Sequence, residues 1–393
     1  MGMAVSIAAR RLHSSGRRRV SEGPGWVESP TVETRGRPGP PYHTTKEENH
    51  EVDQARSRSC GRHDGSDRLR RDALNRSTDL RGSRKRAPQC FQVQVILLGT
   101  AAGGGFPQWN CWCPSCRVAR AEPRRALARS QSSAAVSADG ERWFLLNASP
   151  DVHAQLTRLP TRPAGVRHVP VEGIVLTDAE LDHTLGIVLL REARQLQVCA
   201  THAVRQVLEV DSRILPVTRA FAEVRVTDLP SRGAMALCYR DGADSGISVS
   251  SFEVPAGPPR FAREELPGHT VGLVLTDQAT GASCAFVPGC GGLDDVLVQR
   301  LAAADLVLFD GTFWTDDELI RLEIGDRTAR QMDHLPVSGP DGSLERLAAL
   351  PCRHRVYTHI NNTNPMLLED SPERALVERR GWQVGADGMT FTL

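Results

Sequence analysis

Three predicted strands of this chain each run directly into an aspartate or a histidine, and this pattern limits the possible folds more than any other feature. The strands are short, apolar and rich in β-branched residues. They cover residues 173–177, 305–309 and 355–358, and they are followed by Asp178, Asp310 and His359. Open α/β sheets place their functional sites at the carboxyl ends of the strands. One such residue alone is usually a helix cap or a satisfied core histidine, but the three together predict a metal site.

Predicted strands and helices alternate from residue 93 to the end of the chain. The predicted strands cover residues 93–98, 143–146, 173–177, 271–276, 284–287, 305–309 and 355–358, and the predicted helices cover residues 185–194, 202–209, 293–303, 343–350 and 372–380. This alternation is typical of an α/β domain whose helices cover both faces of the sheet. We therefore predict one such domain over residues 93–393.

Residues 1–92 differ in composition from the rest of the chain. They are rich in Arg, Ser, Gly and Pro and lack helical or strand periodicity, so they cannot bury enough apolar surface to offset the entropy of ordering. We interpret them as a disordered basic extension, or as the result of a start assigned too far upstream. Lys and Arg outnumber Asp and Glu by 19 to 11 in residues 1–90, but are outnumbered by 29 to 36 in residues 91–393. Because the basic excess is confined to the extension, we do not expect a nucleic-acid-binding domain.

The hydropathy and cysteine patterns indicate a cytoplasmic protein. No apolar run approaches the ~18 residues that a membrane span requires. The apolar stretch 3–9 is short and is followed at once by Arg10 and Arg11, which does not fit a secretory signal. The ten cysteines lack the dense, even spacing of a secreted disulfide scaffold.

Three of the cysteines lie within six residues and form the motif Cys111-x-Cys113-x-x-Cys116. Cysteine is a scarce residue, and this tight spacing predicts that the three thiolates bind one structural zinc ion. A closed structural zinc site has four ligands, so one ligand must come from elsewhere in the chain.

The strand-end residues also carry a resemblance to the metallo-β-lactamase fold. The segment from Asp178 through Asp182 to His183 resembles the motif His-x-His-x-Asp-His of that fold, with both leading histidines replaced by Asp178 and Glu180. The resemblance implies an αββα sandwich of two mixed sheets flanked by helices.

The same resemblance implies the ligands of an active-site metal. Besides the motif's Asp182 and His183, the stretch around His269 resembles the second histidine motif, Asp310 the bridging aspartate and His359 the last histidine. The metal position built from the motif's aspartate and final histidine is complete in this chain. The other position has lost two imidazoles.

Within this fold the chain resembles the pyrroloquinoline quinone (PQQ) biosynthesis protein B family. The resemblance covers residues 93–393. Its most specific part is the run from Gly103 to Cys116, and further matches are Asn147-Ala-Ser-Pro-Asp151, His359-Ile-Asn-Asn-Thr-Asn-Pro365 and Asp370-Ser-Pro-Glu-Arg374. Residues 1–92 have no counterpart in the family.

Membership would imply hydroxylation of the tyrosine ring in the Glu-Tyr unit derived from a precursor peptide, with Fe(II) and O₂. The substrate would be a small peptide or dipeptide, and other PQQ-pathway proteins would be possible partners. The residues independently favour a reaction with Fe(II) and O₂. Two histidines and one carboxylate that leave other coordination positions of the metal open are typical of non-haem Fe(II) oxygenases. His183, His359 and Asp182 provide this set.

Two other functions are consistent with the same fold. One is a zinc hydrolase, in which His269 and Glu180 complete a weakened first metal site and two metals hold a bridging hydroxide. The other is a non-catalytic carrier that moves PQQ or its precursor towards the periplasm. The lack of a membrane segment argues against an autonomous transporter.

Several further residues are candidates for roles near these sites. His334, in a loop between the strands that end in Asp310 and His359, is a candidate acid or base, as is Asp178; a solvent-exposed loop histidine is the alternative for His334. Arg129 is a candidate anchor for a substrate carboxylate. In relatives with the cysteine motif, the fourth zinc ligand comes from the loop after the last histidine. In this chain Asn362 stands there, and Cys352 is a weaker alternative.

Overall fold

The computed structural model describes residues 92–393. The predicted basic extension therefore lies outside the described residues, apart from residue 92. Within the described part, the strands form two seven-stranded sheets, and no helix there is long and apolar enough to cross a membrane.

The strands of the first sheet are all short, and the two edge strands lie far apart in the chain. Their spatial order is β14 (Thr390–Thr392), β1 (Gln94–Gly99), β2 (Ser133–Ser137), β3 (Trp143–Leu146), β4 (Val171–Val175), β5 (Gln195–Ala200) and β6 (Glu223–Asp228). Pairing is antiparallel from β14 to β3 and parallel from β3 to β6, so this sheet is mixed.

The second sheet has the same mixture of pairings. Its spatial order is β13 (Gln383–Val384), β12 (His354–Thr358), β11 (Leu306–Asp310), β10 (Ser283–Val287), β9 (Val271–Asp277), β8 (Asp244–Glu253) and β7 (Met235–Cys238). Pairing is parallel from β13 to β10 and antiparallel from β10 to β7.

Ten α-helices of the described region lie between and around these strands. They are α1 (Pro114–Ala121), α2 (Val152–Leu156), α3 (Leu181–Thr184), α4 (Gly186–Leu189), α5 (His202–Gln206), α6 (Ile214–Arg219), α7 (Asp295–Ala302), α8 (Glu318–Arg321), α9 (Ser343–Arg346) and α10 (Pro372–Arg379). The sequence predicts five of them, α4, α5, α7, α9 and α10, and each of these is shorter than its predicted range. The helix predicted over 185–194 ends at Leu189, because the following segment turns into β5.

Three apolar clusters show how the layers pack. In β1, Val95 and Leu97 face a cluster shared with the second sheet, whereas Ile96 and Leu98 face a cluster that includes helical residues such as Ile187. A third cluster joins the outer face of the second sheet to its helices. Because central strands such as β3, β4, β10 and β11 are buried on both faces, their sequences are nearly continuous apolar runs. The predicted αββα sandwich of two mixed sheets is confirmed.

Candidate metal centre

The carboxyl ends of β4, β11 and β12 meet, and the residues after them form the candidate metal centre. Asp182 and His183 lie in α3, one short loop after β4. Asp310 is the last residue of β11, and its register partner in β12 is Thr358, which immediately precedes His359. The parallel register of β11 and β12 therefore brings Asp310 and His359 to one edge of the sheet.

Asp182, His183 and His359 form a compact set of possible ligands. Their ligand atoms all lie within 4.8 Å of one another. Asp182 Oδ2 is 3.8 Å from His183 Nε2 and 3.3 Å from His359 Nε2. His183 and His359 are both buried. Two imidazoles and one carboxylate facing one another are the donor set that the sequence predicts for Fe(II).

Asp178 holds His183 in the orientation that a metal requires. His183 Nδ1 lies 2.8 and 2.7 Å from the two carboxylate oxygens of Asp178, and the Thr177 hydroxyl donates to Asp178 Oδ2 at 2.6 Å. Nδ1–H therefore points at the carboxylate, which leaves the lone pair on Nε2. His183 Nε2 is buried and has no hydrogen-bond partner among the described residues. A carboxylate behind a metal-binding histidine commonly sets its tautomer in this way.

Thr312 has the same effect on His359. His359 Nδ1 lies 2.8 Å from Thr312 Oγ1, and the hydroxyl is 2.6 Å from Asp310 Oδ1. The Nδ1–H donates to the hydroxyl, which donates to the carboxylate, so Nε2 again faces the centre. His359 has a backbone φ of 54°, a left-handed conformation that is rare outside glycine and that often occurs at functional sites.

A second group of possible ligands consists of Asp310, His334 and His359. His334 Nδ1 lies 2.7 Å from Asp310 Oδ2, which also accepts from the Cys290 backbone N–H at 3.0 Å. Asp310 Oδ1 accepts from the Thr312 backbone N–H at 2.9 Å and from its hydroxyl. Each oxygen of Asp310 thus has two donors. His359 is common to both groups and has only Nε2 free, so the geometry favours one metal ion over two.

The electrostatics of the centre favour a cation. Burial alone would lower the pKa of His183, but Asp178 and Asp182 raise it to about 9. Burial would likewise raise the pKa of Asp182, whereas His183 and His359 hold it well below its usual value. A site that stabilises a proton between these donors also stabilises a metal ion in the same place. The residues present therefore fit a divalent cation.

Two predicted ligands of the other metal position are not brought to this centre. His269 is buried, but its Nε2 lies 2.9 Å from the Glu264 carbonyl oxygen, and it belongs to neither ligand group found in residues 92–393. The Glu180 side chain is exposed and also lies outside both groups. Asp178 is hydrogen-bonded to His183. None of the three residues Asp178, Glu180 and His269 therefore belongs to a ligand group at this centre in residues 92–393.

The three cysteines of the motif also meet. Their sulfurs lie within 4.8 Å of one another. The Cys113 and Cys116 backbone N–H groups approach the sulfurs of Cys111 and Cys113 at 3.5 Å, an arrangement that stabilises thiolates. The Asn362 amide lies 3.4 Å from Cys116 Sγ and 3.8 Å from Cys113 Sγ. Cys352 is not part of this group. Of the two predicted sources of a fourth ligand, only Asn362 lies beside the sulfurs, where its side-chain Nδ2 is a hydrogen-bond donor and its backbone carbonyl oxygen is 3.5 Å from Cys113 Sγ.

The comparisons with known proteins agree with this fold and this site. The model of the beta-lactamase superfamily domain matches residues 142–360. A protein of Methylobacterium nodulans named coenzyme PQQ synthesis protein B is 44% identical to this chain, and the match covers 77% of this chain and 100% of that protein. The protein of the same name in Gluconacetobacter diazotrophicus is 42% identical, and the match covers 76% of this chain and 99% of that protein.

The chain belongs to the coenzyme PQQ synthesis protein B family. A crystal structure of Zn²⁺-bound PqqB from Methylobacterium extorquens matches with a TM-score of 0.70 and 40% sequence identity. The match covers 76% of this chain and 100% of the PqqB chain. A diphosphatase of the PhnP family shares the fold at 18% identity, with a TM-score of 0.54 over 77% of this chain and 98% of its own.

The sequence analysis did not predict three contacts at the metal centre. Thr177 orients His183 through Asp178, whereas Thr312 contacts His359 directly and donates its own hydroxyl to Asp310. Gly103 comes so close to Asp182 that a Cβ there would lie 3.2 Å from Oδ2, so the glycine-rich loop borders the metal centre. Thr177 directly precedes the strand-end Asp178, and this adjacency was a signal for the first contact. Thr312 contacts His359 across 47 residues, and that contact had no local signal. The Gly103 contact had no local signal.

We predict that Asp178→Asn weakens metal binding without unfolding the protein. The amide removes the negative charge behind His183 and weakens control of its tautomer, and such changes typically cost about 10–100-fold in metal affinity. Titration against a competing chelator measures the change. Asp277→Asn is the matched control, because Asp277 is also buried but lies at the end of β9. Equal affinity in the two variants would contradict the role given to Asp178.

Proposed function

We propose that this chain acts in PQQ synthesis as a metal-dependent hydroxylase that uses Fe(II) and O₂ on the tyrosine ring of a Glu-Tyr peptide. The observation that carries the proposal is the donor set of Asp182, His183 and His359, whose ligand atoms lie within 4.8 Å of one another. Two histidines and one carboxylate leave other positions of an iron ion open. Iron bound there would supply the activation of O₂. The similarity to proteins of coenzyme PQQ synthesis supports the pathway.

The chain's own residues prepare this centre and move protons beside it. Asp178 and Thr312 keep both imidazoles in the tautomer that presents Nε2. His334 has its Nδ1 bonded to Asp310, so its Nε2 can hold or release a proton at the substrate oxygen. Burial opposes the charged form, but Asp310 raises the pKa of His334. The sequence predicts Asp178 as a second candidate acid or base. In this proposal Asp178 is a positioning residue, because both of its carboxylate oxygens lie within hydrogen-bond distance of His183 Nδ1.

An O₂-uptake assay with purified full-length protein tests the proposal. The protein is loaded with Fe(II) without oxygen, then mixed with a Glu-Tyr peptide, ascorbate as reductant and O₂. We expect substrate-dependent O₂ uptake and a peptide that gains oxygen atoms by mass spectrometry. Zinc-loaded protein should be inactive in the same assay. Turnover that is equally fast with zinc and without O₂ would overturn the hydroxylase proposal.

A zinc hydrolase is the second candidate, and the group of Asp310, His334 and His359 is the observation in its favour. It requires two metals, whereas the two groups share a single free nitrogen of His359. Metal analysis of His334→Ala separates the candidates, with the zinc of the cysteine cluster counted separately. Retention of one active-site metal per chain supports the mononuclear centre, and loss of one of two active-site metals supports the hydrolase.

A further inference from the structure

Asn147 is a buried polar residue at the end of β3, and none of the roles assigned above explains it. Its side chain is fully buried, and its backbone φ of 60° lies in the left-handed region. Asparagine adopts this conformation more readily than most other residues with a side chain. A buried amide is unfavourable unless its donor and its acceptor both have partners, so the partners of Asn147 indicate what it does.

Both ends of the Asn147 amide bond Thr177, which lies 30 residues later in the chain. The Thr177 backbone N–H donates to Asn147 Oδ1 at 3.0 Å, and Asn147 Nδ2 donates to the Thr177 hydroxyl at 2.8 Å. The Thr177 carbonyl oxygen in turn accepts from the Val271 backbone N–H at 2.8 Å. Thr177 is thus fixed from two sides just after the carboxyl end of β4.

Asn147 also determines where the single proton of the Thr177 hydroxyl points. The Nδ2–H of Asn147 occupies one lone pair of the hydroxyl oxygen. Asn147 Oδ1 lies 3.2 Å from this oxygen, but it already accepts from the Thr177 backbone N–H. Asp178 Oδ2 is closer, at 2.6 Å, and its negative charge makes it the stronger acceptor. The hydroxyl therefore donates to Asp178, the carboxylate that bonds His183 Nδ1.

The next residue, Ala148, holds the backbone of the same histidine. The Ala148 N–H donates to the His183 carbonyl oxygen at 2.7 Å, and the Gly186 N–H donates to the Ala148 carbonyl oxygen at 2.9 Å. A Cβ on Gly186 would lie 2.6 Å from that oxygen, so α4 begins in tight contact with the loop after β3. This loop therefore contacts His183 directly through its backbone, and through its Asn147 side chain by way of Thr177 and Asp178.

We propose that Asn147 is a positioning residue of the metal centre. Its amide fixes the Thr177 hydroxyl, the hydroxyl fixes the Asp178 carboxylate, and the carboxylate keeps His183 in the tautomer that presents Nε2. Asn147 belongs to no ligand group of the described residues, so it acts only through His183. Buried hydrogen bonds in such a chain strengthen one another, and the groups behind a ligating histidine affect metal affinity.

Titration of Asn147→Gly with Fe(II) against a competing chelator, without oxygen, tests the proposal. Glycine adopts a φ of 60° without strain, so the variant loses the amide but keeps the backbone conformation. We expect Fe(II) to bind the centre about tenfold more weakly, with the metal of the cysteine cluster counted separately. Thr177→Val keeps the shape of the threonine and removes only the hydroxyl, so it should weaken Fe(II) binding to a similar extent.

Ser133→Ala is the matched control. Ser133 is also buried, at 1% exposure, and its hydroxyl donates to the Asn147 carbonyl oxygen at 2.9 Å. The variant therefore loses a buried hydrogen bond to the same loop but keeps the contacts of the Asn147 amide. It should bind Fe(II) as the unmodified chain does. Equal losses of affinity in Asn147→Gly and Ser133→Ala would show that the loop only stabilises the fold, and would overturn the proposal.

A double-mutant cycle with Asp178→Ala separates positioning from a general loss of stability. If Asn147 acts through Asp178, adding Asn147→Gly to Asp178→Ala should change the Fe(II) affinity by less than about twofold. Two losses that simply multiply would contradict the proposal, as would unchanged affinity in Asn147→Gly or in Thr177→Val. Because neither O₂ nor a substrate is present, failure of the proposed hydroxylation would leave these results unchanged.

Discussion

His183→Ala is expected to abolish Fe(II) binding and O₂-dependent hydroxylation. The substitution removes the buried Nε2 that lacks a partner in the described structure and leaves Asp182 and His359 as the remaining ligands of the group. A residue that hydrogen-bonds a metal ligand typically contributes about 10–100-fold to metal affinity. Loss of the ligand itself should therefore lower the affinity for Fe(II) by roughly 100-fold or more. Iron content after dialysis and O₂ uptake measure the two effects.

His269→Ala is the matched control for this experiment. Both histidines are buried, at 2% and 4% exposure, so both substitutions create a cavity and lower stability by a comparable amount. Only His183 belongs to a ligand group among the described residues. We expect His269→Ala to keep its iron. If both variants lost iron equally, the loss would reflect general destabilisation or a wider metal site, and the assignment of His183 would fail.

Cys113→Ser is expected to lower the thermal stability strongly and to release zinc. Closed thiolate zinc sites contribute folding free energy directly, and Cys113 Sγ lies 3.5 Å from the Asn362 carbonyl oxygen across 249 residues of sequence. Zinc bound here would therefore join the loop before α1 to the loop after β12. Loss of a metal is among the few changes that cost about 4 kcal/mol or more, which corresponds to a fall in Tm on the order of 10 °C.

Cys352→Ser is the control for the zinc prediction. Cys352 is half-buried, as Cys111 is, but it lies outside the cysteine group. Zinc content and Tm should stay close to those of the unmodified chain. Cys113→Ser protein that keeps its zinc and its Tm but loses activity would show that the cluster is catalytic and not structural.

The alternation of strands and helices was sufficient to predict an α/β domain, and the resemblance to the metallo-β-lactamase fold implied the sandwich of two mixed sheets. Buried strands of this sandwich are apolar on both faces, so β1, β4, β11 and β12 were recognisable without a structure. Strands such as β6 and β8 were not. β6 has alternating half-buried and exposed residues, and β8 is rich in Ser, so neither forms an apolar run. Helix lengths were also overestimated, because tertiary packing ends α4 before its apolar pattern ends.

The sequence by itself determined which side chains are available as ligands, because a polar residue directly after a buried strand is a local feature. It predicted Asp182, His183 and His359, and the structure brings them together. Only the tertiary structure decided their roles. Asp178 bonds His183, Thr312 bonds His359 across 47 residues, and His269 turns to the Glu264 carbonyl. Such partners depend on which loops meet at the sheet edge, and one sequence contains no local signal for that.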